Sequence, residues 1–228
     1  MRKIVKEFNV YNFDELSDDV KEKLIEKERD IQKELYCEDW LYDDMEEKAS
    51  NLLNDYFGIT SDYLKVYYDL SYSQGSGAMI EFDINIVDLN NKYNIFSKEE
   101  MAFITDKGIV NDIRIRHNDN FYYHEYTFGI DYDFYNEWEF EDIERDYKIT
   151  KSEFDTLEDR FYKLVDTYNK HNTDSQFVKD IISMNKELTK YGYDCIEYYD
   201  NCSDDEIINC LLVDNEYYKN GTIYGGEE

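Results

Sequence analysis

The spacing of apolar residues changes its period twice along this chain, and the order of those changes limits what it can fold into. From Leu64, the residues Leu64, Val66, Tyr68 and Leu70 alternate with Lys65, Tyr67 and Asp69. After the loop "SYSQGSGAM", Ile80, Phe82, Ile84 and Ile86 alternate with Glu81, Asp83 and Asn85. A period of two gathers the apolar set on one side of a strand. The two runs therefore predict an antiparallel hairpin with one buried face. A second hairpin is predicted from Ile109 to Ile130, where "IVNDIRIRH" and "FYYHEYTFGI" flank the turn residues Asn118, Asp119 and Asn120.

A helical period lies on either side of the strands. Val20, Leu24, Ile31 and Leu35 follow Ser17 as N-cap, with Asp18 and Asp19 in the first turn, where carboxylates favour the helix dipole. Glu22, Glu26 and Glu28 fall on the solvated face of that helix. Leu41, Met45, Ala49, Leu52, Leu53 and Phe57 share a face of the next helix, and Gly58 marks its end. Thr150 and Glu153 form a capping box ahead of Phe154, Leu157, Phe161, Leu164 and Tyr168. Phe177, Ile181, Met184, Leu188 and Tyr191 resume the pattern after a break near Asn172, and Ser203 with Glu206 opens a short helix carrying Ile207, Leu211 and Leu212. Helices, strands, helices predict an α+β fold: an antiparallel sheet of two hairpins flanked by N-terminal and C-terminal helices. With no proline and no low-complexity linker, residues 1–228 read as a single domain. A division into a hairpin part, 1–148, and a mostly helical part, 149–228, is the alternative.

Charge narrows the function classes. The chain has 54 acidic and 25 basic residues, a net charge of −29, yet 17% of it is aromatic, which argues for a folded acidic protein rather than a disordered one. Such a field repels nucleic acid and anionic lipid and attracts cationic surfaces within about 8 Å at physiological salt. Solubility alone is the plainer explanation of the same surplus. Cys37, Cys195, Cys202 and Cys210 lack the paired spacing of zinc sites and read as reduced thiols. The start, "MRKIVKEFNVYNFDEL", has no apolar run long enough for a signal peptide, and no stretch is long enough to span a bilayer. A cytoplasmic protein with no membrane partner is expected.

Four features are candidates for chemistry. The loop residues Gln74, Gly75, Ser76 and Gly77 lack the third glycine and following helix of a dinucleotide fingerprint and the lysine of a phosphate-binding loop. They fit a wide hairpin turn or a loop that contacts a partner, and they permit another backbone to approach closely. His117 and His124 stand on the two arms of the second hairpin beside Glu125, but no third ligand is obvious, so neither a metal nor another cofactor is expected. Carboxylates are too abundant for any pair to single out an acid and a base. The most unusual stretch is "GIDYDFYNEWEFEDIERDY", where Asp131, Asp133, Glu137, Glu139, Glu141, Asp142, Glu144 and Asp146 interleave with Tyr132, Phe134, Tyr135, Trp138, Phe140 and Tyr147. Carboxylates set among aromatics can stand in for the phosphates and bases that a nucleic-acid groove accepts. An edge strand with inward aromatics and solvated acids has the same pattern.

"FDELSDDVKEKLIEK", "YYDLSYSQGSGAMIEF", "RIRHNDNFYYHEYT" and "SDDEIINCLLVDNEYYKNGTIY" together resemble a family of small acidic proteins encoded in bacteriophage and prophage genomes. The resemblance rests on the Ser-Gln-Gly-Asp-Gly-like loop, the start of the last helix, and Asn215 with Tyr217; the chain departs at Ser76, where the family pattern has an acid. The resemblance implies a phage origin and carries no settled activity. The leading expectation is a non-enzymatic, phage-encoded anti-defence inhibitor. It would bind a host protein, such as a CRISPR effector or defence nuclease, at a cationic nucleic-acid channel, without binding nucleic acid itself. An accessory or antitoxin-like protein-binding module without mimicry is the second reading, and a carboxylate-dependent hydrolase the third.

Overall fold

Side-chain caps at Asn85, Ser97, Thr150 and Ser203 open four of the helices. A computed structural model describes residues 8–110, 113–118, 122–133 and 149–225. In chain order its elements are β1 Tyr11–Asn12, α1 Asp18–Asp39, α2 Leu41–Phe57, β2 Leu64–Asp69, β3 Gly77–Ile84, α3 Ile86–Tyr93, α4 Lys98–Lys107, β4 Ile113–His117, β5 Phe128–Asp131, α5 Lys151–Val165, α6 Gln176–Asn201, α7 Asp204–Ile207 and β6 Glu216–Tyr217. Capping boxes open α4 (Ser97 with Glu100), α5 (Thr150 with Glu153) and α7 (Ser203 with Glu206). The fold is α+β with antiparallel sheets: a four-stranded one in the order β2-β3-β4-β5 and a two-stranded one of β1 and β6.

The chain divides into two compact units, Tyr42–Tyr193 and the combination of Met1–Leu41 with Asp194–Glu228. In the terminal unit, β1 and β6 pair Tyr11 with Tyr217 and Asn12 with Glu216. Phe13, Leu16, Ile25, Ile207, Leu212 and Tyr217 form its core. The Tyr217 ring is fully buried, and its hydroxyl donates to the Leu212 carbonyl at 2.8 Å. Arg29 of α1 donates to the Cys202 carbonyl at 3.0 Å and to Asp204 at 2.6 Å, holding the entry to α7. Lys33 reaches Asp200 at 2.7 Å, and Tyr36 stacks on Tyr199.

In the central unit, Leu52 and Leu53 of α2, Phe82 of β3, and Phe177, Ile181 and Leu188 of α6 are all buried. Each such side chain contributes about 1.5–3 kcal/mol of hydrophobic stabilisation. The Phe57 ring bridges Phe82 at 5.5 Å and Phe177 at 5.8 Å. The apolar faces expected for α2 and α6 are the buried ones, and Gly58 ends α2.

Several expectations are corrected. Two helices, α3 and α4, separate the two strand pairs, so the sheet is not a simple succession of two hairpins. Ile86 begins α3 rather than ending a strand, because the Asn85 side chain accepts the Asp88 amide at 2.9 Å and caps the helix there. Among the described residues of the second strand pair, the strands are Ile113–His117 and Phe128–Asp131. β3 is buried on both faces from Gly77 to Phe82, including Glu81 at 7% exposure, because it is a central strand. Leu35 is exposed, and α5 stops at Val165, leaving Tyr168 98% exposed on the loop beyond it.

Tyr217→Phe leaves the Leu212 carbonyl with the longer bond from the Asn215 amide, 3.3 Å, and should destabilise the terminal unit by about 1 kcal/mol. Urea unfolding followed by near-ultraviolet circular dichroism checks it; an unchanged midpoint would contradict it.

Candidate functional site

The glycine loop joins a central strand to its neighbours at the point where the sheet ladder stops. β3 and β4 pair from Ile84 with Ile113 to Phe82 with Ile115. Two residues further, the same register would set Ile80 opposite His117. Instead, the Ile80 amide donates to Asn185 Oδ1 at 3.1 Å, and the His117 amide donates to Glu81 Oε2 at 3.1 Å. One turn along α6, Thr189 Oγ1 accepts the Ala78 amide at 2.8 Å. Side chains thus take over where strand pairing ends, as buried amides require.

The connection from β4 to β5 lies against this side of β3. Asn185 Nδ2 donates to the Glu125 carbonyl at 3.4 Å, and the Tyr123 amide donates to the Gly75 carbonyl at 3.0 Å. This contact explains the two glycines. Gly75 has φ +92°, and a Cβ there would lie 1.9 Å from Cδ1 of Tyr122. Gly77 has φ +154°, and its Cβ would lie 2.9 Å from the His124 Cα. The Ser76 amide bonds the Ser73 carbonyl at 3.1 Å, closing a turn whose third residue, Gly75, needs a positive φ.

Ser76 organises the outer part of the loop. Its hydroxyl accepts the Ser73 amide at 2.9 Å and lies 3.0 Å from Ser73 Oγ and 3.3 Å from Ser71 Oγ. The Ser71 hydroxyl and amide hold the Asp69 carboxyl below the usual carboxylate range. Tyr72 takes a left-handed conformation, φ +58°, which costs a bulky residue about 1–2 kcal/mol.

The histidines are packing elements. His117 is sandwiched between Tyr67 at 4.8 Å and Tyr123 at 5.1 Å, and its Nε2 lies 2.9 Å from the Tyr122 carbonyl. His124 Nδ1 accepts the Tyr126 amide at 3.3 Å, and its ring meets Tyr126 edge-on. Tyr63 donates to the other oxygen of Glu81 at 2.5 Å. Among the described residues, no group of three or more His, Cys, Asp or Glu is arranged to hold a metal, and no helix is long and apolar enough to cross a membrane.

Of the acidic, aromatic stretch, Asp131 and Asp133 are described and exposed; Asp131 is ion-paired with Arg116. Tyr132 turns inward, edge-on to Phe161 at 5.1 Å. Glu137, Trp138, Glu139, Glu141, Asp142, Glu144 and Asp146 lie outside the described residues.

The solvated face of α1 is more extensive than Glu22 and Glu26 alone, and it does not include Glu28. Asp18, Glu22, Glu26, Asp30, Glu34 and Glu38 recur every fourth residue along α1, and all six are exposed. Among the described residues, none of them meets a cation within ion-pair distance. Glu28, by contrast, is half-buried and accepts Gln32 at 2.9 Å.

Compared with known protein families, curated proteins and solved structures, the chain matches none.

The two glycines make separable predictions. Gly75→Ala and Gly77→Ala should each destabilise the central unit by about 1–3 kcal/mol. Adding Tyr122→Ala should recover part of the loss at Gly75, where the obstacle is a ring, and none at Gly77, where it is backbone. Thermal melts of the single and double variants check this; equal recovery at both sites would contradict it.

Proposed function

We propose that this chain is a phage-encoded inhibitor that acts by binding, its carboxylates occupying the cationic nucleic-acid channel of a host defence protein. The α1 row carries the reading. Six carboxylates at four-residue spacing rise about 6 Å and turn about 40° per step, so the row winds as a spiral stripe over about 30 Å of helix. The step is within the screening length of about 8 Å, so a partner feels neighbouring members together. Like charges at this spacing destabilise a helix by about 0.2–0.5 kcal/mol per pair. Lys21, Lys23, Lys27 and Lys33 stand three residues from Asp18, Glu26 and Asp30 and offset part of that cost, whereas Glu22, Glu34 and Glu38 have no cation at such spacing; helix stability gives no reason to keep those three, and a cationic groove does. The row is sparser than duplex DNA, with one charge per about 1.7 Å of axis. It supplies a winding stripe of charge rather than a replica, and the sequence from Asp131 to Asp146 holds a second run of acids.

Changing alternate members of the row separates binding from folding. Glu22→Lys, Asp30→Lys and Glu38→Lys together turn every like-charged neighbour into an opposite pair. They should stabilise α1 by on the order of 1–2 kcal/mol. Affinity capture from bacterial lysate with the parent chain should recover a nucleic-acid-handling protein that salt and duplex DNA release, and the triple variant should fail to capture it. Capture that resists salt and DNA, or that is equal with the variant, would overturn the reading, as would metal-dependent nucleic-acid cleavage by the purified chain.

A further inference from the structure

We propose that the tyrosines where β2 runs out form a docking surface for an arginine-rich face of a partner protein, an inference that rests on the binding role above and names the chemistry it meets. The surface is built around a close contact in the central unit. Gly192 of α6 is buried, and a Cβ there would lie 2.7 Å from Leu70 Cδ1 and 3.1 Å from Met45 Sδ. Four tyrosines flank that contact: Tyr68 and Tyr72, two residues either side of Leu70; Tyr42, one turn before Met45; and Tyr193, beside Gly192. They associate in pairs. Tyr72 stacks on Tyr193 with centroids 4.5 Å apart and planes 27° apart, and Tyr42 lies 6.5 Å from Tyr68.

Tyr72 is 65% exposed and Tyr42 42% exposed, so each pair presents an aromatic ring to solvent. Tyr72 does so from a left-handed backbone conformation that asparagine or glycine would adopt with less strain. Tyr72, stacked on Tyr193, and Tyr42, bonded to Glu46, are already held and lose little freedom on binding, a common property of interface anchors. The surroundings are acidic. Asp43 is exposed, Asp69 is held ionised by its hydrogen bonds from Ser71, and Glu46 accepts the Tyr42 hydroxyl at 2.7 Å. That hydrogen bond is the main reason the Tyr42 phenol is pushed up to about 12, so it stays neutral.

Neutral aromatic faces beside carboxylates favour arginine over lysine. A guanidinium can stack flat on a tyrosine ring while its N–H groups fork to a carboxylate, whereas an ammonium offers charge alone. Net charge attracts both cations equally; the tyrosines discriminate between them.

The probes are an oligoarginine and an oligolysine peptide of equal length, titrated by fluorescence anisotropy at physiological salt. The parent should bind oligoarginine about threefold or more tighter. Tyr72→Asn and Tyr42→Gln should each reduce that preference while leaving oligolysine affinity unchanged, with circular dichroism confirming the fold. Equal, salt-sensitive binding of both peptides by the parent would overturn this inference and leave the acidic reading standing, as would a preference retained in both variants. Failure of both peptides to bind would overturn this inference and the acidic reading together.

Discussion

Asn185 is the residue on which the central unit closes. Its side chain is fully buried and serves two clients at once, the Ile80 amide of β3 and the Glu125 carbonyl of the β4–β5 connection. An apolar residue of similar size would leave the buried Ile80 amide unsatisfied, at about 1–3 kcal/mol, and would remove the donor that ties the half-buried Glu125 carbonyl to α6. With it in place, β4 is free to leave the ladder after Ile115, and the space that a longer β4 would occupy admits the Tyr122–Glu125 segment. That segment then lies against Gly75 and Gly77, which explains why the loop has glycine at those two positions.

How much of this was legible in the sequence depends on the range of the interaction. Local chemistry was readable: the buried face of α2 follows from its spacing, and the Thr150 and Ser203 capping boxes open helices as written. Ser97 with Glu100 has the same signature and marks α4, which a reading led by alternation passed over. Burial of β3 on both faces was not readable, since Glu81 and Asp83 mimic a solvated side. Glu81 is inside because Tyr63 and the His117 amide satisfy its oxygens, and both partners are distant in sequence. The glycine loop announced a close approach but not its partner, because the approaching backbone comes from the other side of two intervening helices in the chain.

The same contrast holds for charge. Where acids serve the fold they have partners: Arg114 grips Asp83 with two bonds of 2.6 and 2.8 Å, Arg160 reaches Glu100, and Tyr93 donates to Asp180 at 2.7 Å. The α1 row is different, being exposed and without ion pairs among the described residues. A sequence count of −29 cannot separate those two populations; their partners can. The acids left without partners are the ones with charge to offer another molecule, and on that distinction the proposed binding role rests.

The most direct test of the Asn185 account is amide hydrogen exchange, read at single residues in the parent and in Asn185→Ala. Ala78 and Ile80 should exchange as slowly as Phe82 in the parent, although no strand pairs with them on that side. In the variant, protection at Ile80 and at the Tyr123 amide should fall together, while amides in the terminal unit keep theirs. Unchanged protection at Ile80, or loss there with Tyr123 still protected, would show that Asn185 does not hold strand and loop together.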